Sequence, residues 1–521
     1  MMATLAKPTL IDHLRETGAQ VLTDAQTLDF FAHDIWSRGA DLAAVVRPSD
    51  KHQLAAAVGA ATAAGHPVVP RGGGWSYTGG YTQDLPGAVL FDMGAMNRVL
   101  EINETDMTVT VEAGCTWKTL NEALAPKGLR TPMWGTLSGI RATIGGGMSQ
   151  NSIFFGTGQH GTAVKNVLAL EMVKADGTLM KVGCDYLRPY GPDLVGLFLA
   201  DNGAMGLKAT ITMQLIPEAV GHGYATFAFD TAEQQLAAST AIARAGLASE
   251  CFGFDPHLNA IRMKRDSLAA DARQLVGMMK KQGGILKGLK EGAKVALAGR
   301  DFLKDAKFSL HVMTEGRNQP AADADLAAVR QIALENGGRE VENTIPKIVR
   351  ANPFGPATMI LSPGGDRWVP VHGVVRNRDA AKVFNAVAKL YDDNKELMDK
   401  HGIFHGSLIA TIGASAVVVE PCLYWPDARN PVIDDAVPDD HLAKLPTHAH
   451  DAEVWAAVCH IKDQLVDLLF AMGTVHMQIA RTYRYLDSLD PASLALLKAV
   501  KAEVDPHGLM NPGSLGLAKA G

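Results

Sequence analysis

"VVPRGGGWSYTGGYTQ", Val68 to Gln83, sets three consecutive glycines directly after an apolar run and two more five residues on. Upstream, "SDKHQLAAAVGAATAA" (Ser49 to Ala64) opens with a capping residue, is rich in alanine and stops at Gly65, which predicts a helix. The strand-like runs "AAVV" (Ala43 to Val46) and "HPVVP" flank it, so a β-α-β unit leads straight into the glycines. A Rossmann dinucleotide turn requires its glycines to open a helix. After Gly74 the chain reads "WSYTGGYTQDLPGAV", rich in aromatics, threonine and glycine and poor in helix formers. The loop is therefore predicted to run between strands, with "AVLFDM" resuming as a strand at Ala88.

Beyond it, "RVLEINE" and "MTVTVEAG" form an antiparallel pair, the second alternating at Met107, Val109, Val111 and Ala113 with the period of a half-buried strand. A helix over "TWKTLNEALAPKG" precedes a second glycine cluster, "ATIGGGMSQNS". "NVLALEMVKADGTLMKV" reads as a hairpin turning at Asp176-Gly177. "DLVGLFLADNGAMGLKATITMQLIP" reads as a helix, a glycine-rich turn and a strand. From about Glu218 to Phe470 strand-like runs ("GYATFAFD", "KFSLHVM", "DRWVPVHGVV", "ASAVVVEPCLYW") alternate with helices such as Asp379 to Leu397, the pattern of an α+β domain over an antiparallel sheet. The tail "LALLKAVKAEVDPHGLMNPGSLGL" is a helix stopped by Pro506 and then a Gly/Pro-rich strip.

At 521 residues the chain is too long for one core, and size scaling gives roughly two to four domains. With 47% hydrophobic and 20% charged residues and no apolar run of about 18, it reads as a globular protein without a spanning helix. Charge within the N-terminal stretch argues against a secretory signal, which makes the expected compartment cytoplasmic. Five scattered cysteines without CxxC spacing exclude a disulfide framework and a zinc ribbon. A net charge of −6 gives no reason to expect nucleic acid. Between Arg262 and Lys307, however, twelve Lys/Arg face five Asp/Glu, which is either a solvated helical face in an insertion or a docking surface for a redox partner or a membrane surface.

The ordered motifs "PRGGGWSYTGG", "LFDMGAMNRVLEINETDMTVTVEAGCTW", "ATIGGGMSQNSIFFGTGQHGTAVKNVLALEMVKADGTL", "DNGAMGLKATITM" and "VDPHGLMNPGSLGL" resemble the successive signatures of the vanillyl-alcohol oxidase/para-cresol methylhydroxylase (PCMH-type) family of FAD enzymes. The resemblance implies an α+β protein. Its PCMH-type FAD-binding domain of two subdomains would span residues 1–218 and be completed by the tail 471–521; a substrate domain would occupy 219–470, with the basic insertion near 262–307. It also implies that the first loop (Pro70, Arg71, Gly72, Gly73, Gly74, Trp75, Ser76, Gly79, Gly80) grips the FAD diphosphate through backbone N–H groups that glycine leaves accessible. Thr143, Ile144, Gly145, Gly146, Gly147 and Ser149 would line the diphosphate and ribityl chain, Gly156, His160 and Gly161 the flavin ring, Val167 the adenine, and Asn511 would return from the tail. Trp75 stands where some relatives carry a flavin-linking histidine, so non-covalent FAD is expected.

Chemistry in this family is hydride removal from a substituted carbon to the flavin, with the protein supplying orientation and a base. In the phenol-oxidising members a Tyr-Arg pair holds a phenolate; aligned on "AMGTVHMQIARTY" those positions fall on Val475 and His476, and the first-loop tyrosine on Thr78. The metal-binding segment of the D-2-hydroxy acid branch is replaced by "VHMQIAR", and no metal is expected. The polar candidates are His476 (the preferred base, since imidazole titrates near neutrality), His372, Glu420, Tyr424, Gln478 and Arg481. The resulting expectation is a homodimeric FAD-dependent oxidoreductase acting on a small or aromatic alcohol and reoxidised by O2 or a redox protein. A D-2-hydroxy acid dehydrogenase and a flavin-carrying docking protein are the alternatives.

Overall fold

The computed structural model describes residues 9–263 and 307–517; most of the basic stretch 262–307 lies outside them. The β-α-β reading corresponds to a four-stranded sheet in spatial order Gln20–Leu22, Leu42–Arg47, Ala88–Asp92, Val68–Arg71. The last three strands run parallel, and Ala88–Asp92 lies between the two that flank the helix Lys51–Ala63. Asp50, one residue inside the expected start, caps that helix by accepting from the His52 and Gln53 N–H groups. After Val68–Arg71 the chain forms no helix before the strand at Ala88, as expected for a loop between strands.

A second, five-stranded antiparallel sheet holds Val99–Asn103, Thr108–Glu112, Leu207–Gln214, Val167–Val173 and Leu179–Gly183 in that order, and the two predicted hairpins are its two edges. Val109, Val111 and Ala113 point into a core that also takes in Val504, Met510, Leu515 and Leu517 of the tail. The tail docks edge-on: the Val68 N–H donates to the Leu509 carbonyl and the Asn511 N–H to the Val68 carbonyl, each at 2.8 Å. The expected helix at "DLVGLF" is only a 3₁₀ turn, Val195–Phe198.

The middle of the chain builds a larger antiparallel sheet ordered Arg339–Val341, Gly221–Phe229, Phe308–Gly316, Glu250–Phe254, Phe404–Ile412, Ala416–Trp425, Arg367–Pro370, with Gly373–Arg376 also pairing to Ala416–Trp425. The helices Ala232–Arg244, Gln319–Glu335, Ala380–Asp393 and Ala452–Ala471 bury one set of its side chains. The opposite set, including Phe252, Leu408, Ala410, Cys422 and Tyr424, packs under the helix Pro256–Met263 and against Phe154 and Met477. That side faces the glycine loops.

Candidate functional site

The second glycine cluster is a helix, Ile144–Gln150, which the sequence pattern does not announce because three successive glycines oppose helix formation. Packing overrides propensity here. Thr143 caps the helix by accepting from the Gly146 N–H at 3.2 Å, and a Cβ on Gly145 would collide with Ala113. The first loop meets the turn leading into this helix so closely that a Cβ on Gly73 would collide with the Arg141 carbonyl oxygen.

Between the two glycine segments and the large sheet runs one continuous cleft. Of the residues expected to hold the cofactor, Pro70, Gly72 to Ser76, Gly80, Thr143, Gly145 to Gly147 and Ser149 line it. Arg71, Gly79, Ile144, Gly156, His160, Gly161, Val167 and Asn511 are not among its lining residues. Arg71 instead stacks among Phe30, Phe31 and Tyr81. The Gly156 N–H donates to the Glu250 carboxylate at 2.6 Å, and Gly161 closes the short helix Thr157–His160. His160 feels the charges of Arg130 and Glu315, and burial holds its pKa below the ordinary value. Val167 and Asn511 are fully buried. Asn511 braces the cleft from behind, donating to the Gly80 and Asn202 carbonyls and accepting from Gln83 and Arg481.

The wall also carries residues that sequence reasoning does not single out. Asn202, Gly203, Gly206 and Lys208 belong to the quoted motif "DNGAMGLKATITM", Met477 to "AMGTVHMQIARTY" and Trp368 to "DRWVPVHGVV", which carried a signal for them; Arg262 has no comparable local signal.

Of the six polar candidates, Glu420 and Gln478 line the cleft. Desolvation pushes the Glu420 carboxyl up to about 7, with the Arg262 charge pulling it back. Tyr77 lines the cleft as well, and desolvation together with the nearby Glu420 pushes its phenol well above the ordinary value, with Gln478 acting in the opposite sense.

The other four candidates lie elsewhere. His476, the expected base, is not on the cleft wall: its ring stacks on Tyr483 at 4.1 Å, and Nδ1 donates to the His372 carbonyl at 2.7 Å. Burial lowers its pKa. His372 is wholly buried, and desolvation drives its pKa down to about 3, so it is neutral. Tyr424 stacks on Phe404. Arg481 spends its guanidinium on the carbonyls of Gly79 and Pro512 and on Asn511.

The anchor positions shift too. Val475 is 64% exposed and bonded to Val374, while Met477 and Gln478, two residues on, face the cleft. Thr78 is buried away from the cleft, and the first-loop tyrosines that line it are Tyr77 and Tyr81.

The walls fit a flavin dinucleotide by two criteria. The first is the cradle formed by the two glycine segments. The second is a pair of buried polar atoms on its wall that lack a hydrogen-bond partner among the described residues: Trp75 Nε1 and Gln150 Oε1. Residues 42–183 match the model of an FAD binding domain, and residues 471–515 that of the FAD linked oxidases, C-terminal domain. The cofactor is FAD. The chain is 34% identical over 193 residues to a probable mitochondrial D-lactate dehydrogenase of Danio rerio, a match covering 34% of this chain and 37% of that protein. It thus spans little more than a third of this curated relative's length. An uncharacterized FAD-linked oxidoreductase of Mycobacterium tuberculosis is 23% identical over 515 residues, 95% of this chain and 96% of that one. The fold matches substrate-bound p-cresol methylhydroxylase with a TM-score of 0.68 at 14% identity, over 98% of this chain and 96% of that one. The FAD of this chain would lie along Gly72 to Ser76 and Gly145 to Ser149.

Proposed function

We propose that the chain is an FAD-linked oxidoreductase that converts a carbon-bound hydroxyl to a carbonyl, with Glu420 as the proton acceptor. The observation carrying this reading is Glu420 itself, a carboxyl on the cleft wall held near neutrality beside Arg262 and Tyr77. A general base works best when its pKa lies near the working pH. When bound, FAD takes up the two electrons and the hydrogen leaving the carbon as hydride. The chain's own residues do the rest: Glu420 takes the hydroxyl proton, Tyr77 and Gln478 bear on the substrate oxygen, and Trp368, Leu408, Ala410 and Met477 keep water from the reacting carbon. Residues 1–218 with 471–521 hold the cofactor, and residues 219–470 supply the substrate wall together with Tyr77, Met477 and Gln478. FAD is bound non-covalently and is reoxidised by O2 or a redox protein.

A second reading, a D-2-hydroxy acid as substrate, is favoured by Arg262, a cation on the cleft wall whose buried Nε has no hydrogen-bond partner among the described residues. D-lactate dehydrogenases and a glycolate oxidase subunit are among the relatives. Anaerobic mixing of the holoprotein with neutral aromatic alcohols and with 2-hydroxy acids, followed by admission of air, tests both. Bleaching of the yellow colour by one class identifies the substrate, and no bleaching by any alcohol rejects the reaction. Acid precipitation should release the FAD into the supernatant.

A further inference from the structure

We infer that His372 is a positioning residue that holds Gln478 in place on the cleft wall; the inference rests on reading that cleft as the oxidising site. Gln478 has φ +47° and Ala480 φ +44°, left-handed conformations that a side chain with a Cβ seldom takes. Strained backbone of this kind persists only where the surroundings over-determine it. Here they do. The Val475 N–H and carbonyl bond Val374, the Gln478 N–H donates to the Gln150 carbonyl at 2.8 Å, and the Arg481 N–H to the Thr78 carbonyl at 3.1 Å.

In this segment the carbonyl just before the strained residue, that of Met477, is met by a side chain: His372 Nε2, at 2.8 Å. A carbonyl only accepts, so Nε2 carries the hydrogen and Nδ1 is left as an acceptor. Nδ1 lies 3.2 Å from the Tyr483 hydroxyl, which therefore donates to it, and the same hydroxyl accepts from the His372 N–H at 2.9 Å. The imidazole is thus fixed in one tautomer. Its burial keeps it uncharged, so it serves as a rigid donor and does not shuttle protons. At the other end of this chain of contacts the Gln478 amide bears on Tyr77. Sequence reasoning places His372 among the reacting groups; its partners make it the support of one.

The test uses FAD-loaded protein carrying His372→Leu, Gln478→Ala, both together, or His372→Gln, whose amide can donate to the same carbonyl. One readout is the visible absorption spectrum of the flavin, which needs no substrate. The other is the rate and half-saturating concentration of anaerobic flavin reduction by whichever alcohol bleaches the wild type. His372→Leu and Gln478→Ala should shift the spectrum alike. Each should raise the half-saturating concentration about tenfold, the equivalent of one hydrogen bond of roughly 1.4 kcal/mol. The double variant should add nothing further, and His372→Gln should stay within about threefold of wild type. Additive effects in the double variant, or a His372→Leu protein that only melts earlier with an unchanged spectrum and half-saturation, would overturn the assignment. Should His372→Leu fail to fold, His372→Asn, too short to reach the carbonyl, takes its place in the cycle. Absence of any reducing alcohol would defeat the proposed reaction while leaving the spectral comparison decisive for His372.

Discussion

Glu420 and Arg262 share the cleft wall, and the Arg262 charge counters the desolvation that raises the Glu420 carboxyl. Glu420 accepts a proton only as the carboxylate, and desolvation has brought its pKa to about 7. The rate of flavin reduction should therefore rise with pH, pass half its maximum near pH 7 and level off above it. Glu420→Gln should abolish this limb and slow reduction by a factor on the order of 100. Rapid-mixing absorbance measurements between pH 5 and 9 check both, and a wild-type rate that is flat across that range would remove Glu420 from the role. Arg262 favours the ionised carboxyl, so Arg262→Met should move the limb to higher pH. If the substrate is a hydroxy acid, the same change should also raise its half-saturating concentration while leaving that of a neutral alcohol nearly unchanged. At this scale the sequence was partly readable. Glu420 lay in the strand-like run "ASAVVVEPCLYW" and Gln478 in a recognised segment. The tertiary turn of the 475–481 segment, set by its left-handed residues, decided that Gln478 and not His476 faces the cleft.

Elements with a strong period were legible and those built by contact were not. The strand Thr108–Glu112, the hairpin strand Val167–Val173 and the capped helix Lys51–Ala63 follow from alternation, an Asp-Gly turn and capping, because their own residues carry the signal. The helix Ile144–Gln150 can carry glycines at 145 and 147 because Ala113 and Trp117 leave room for little else there, and those contacts lie some thirty residues away in sequence. A prediction belongs to the contact made by the first loop. Gly73→Ala would drive a methyl into the Arg141 carbonyl, a backbone atom that cannot swing aside, so the two cofactor segments must separate. FAD affinity should fall at least about tenfold, equivalent to roughly 1.4 kcal/mol. The strands and helices should persist, since the loop lies outside them. Fluorescence titration of the apoprotein with FAD, alongside circular dichroism, measures the two effects separately; retention of wild-type affinity would mean that the loop does not grip the cofactor.

Across the whole molecule, the last described residues complete the site that the first third of the chain begins. Asn511, fully buried, donates to Gly80 on the first loop and to Asn202 on the turn before Leu207–Gln214, and it accepts from Gln83 and from Arg481. One side chain thus ties the tail to two cleft-lining segments and to the Arg481 that bonds the Gly79 carbonyl. Asn511→Ala would leave buried donors and acceptors unpaired, each costing about 1–3 kcal/mol. The cost should fall unevenly. A ligand that binds only the folded state raises stability by RT ln(1 + [L]/Kd), about 2.7 kcal/mol at a hundredfold excess over Kd. Because the unpaired groups sit on loops of the cleft proposed to hold FAD, the variant should lose part of this FAD-dependent gain as well as baseline stability. Thermal melts of apoprotein across a series of FAD concentrations should show a shallower rise in Tm for Asn511→Ala than for wild type. Parallel curves displaced by a constant amount would mean that the tail stabilises the fold without reaching the cofactor.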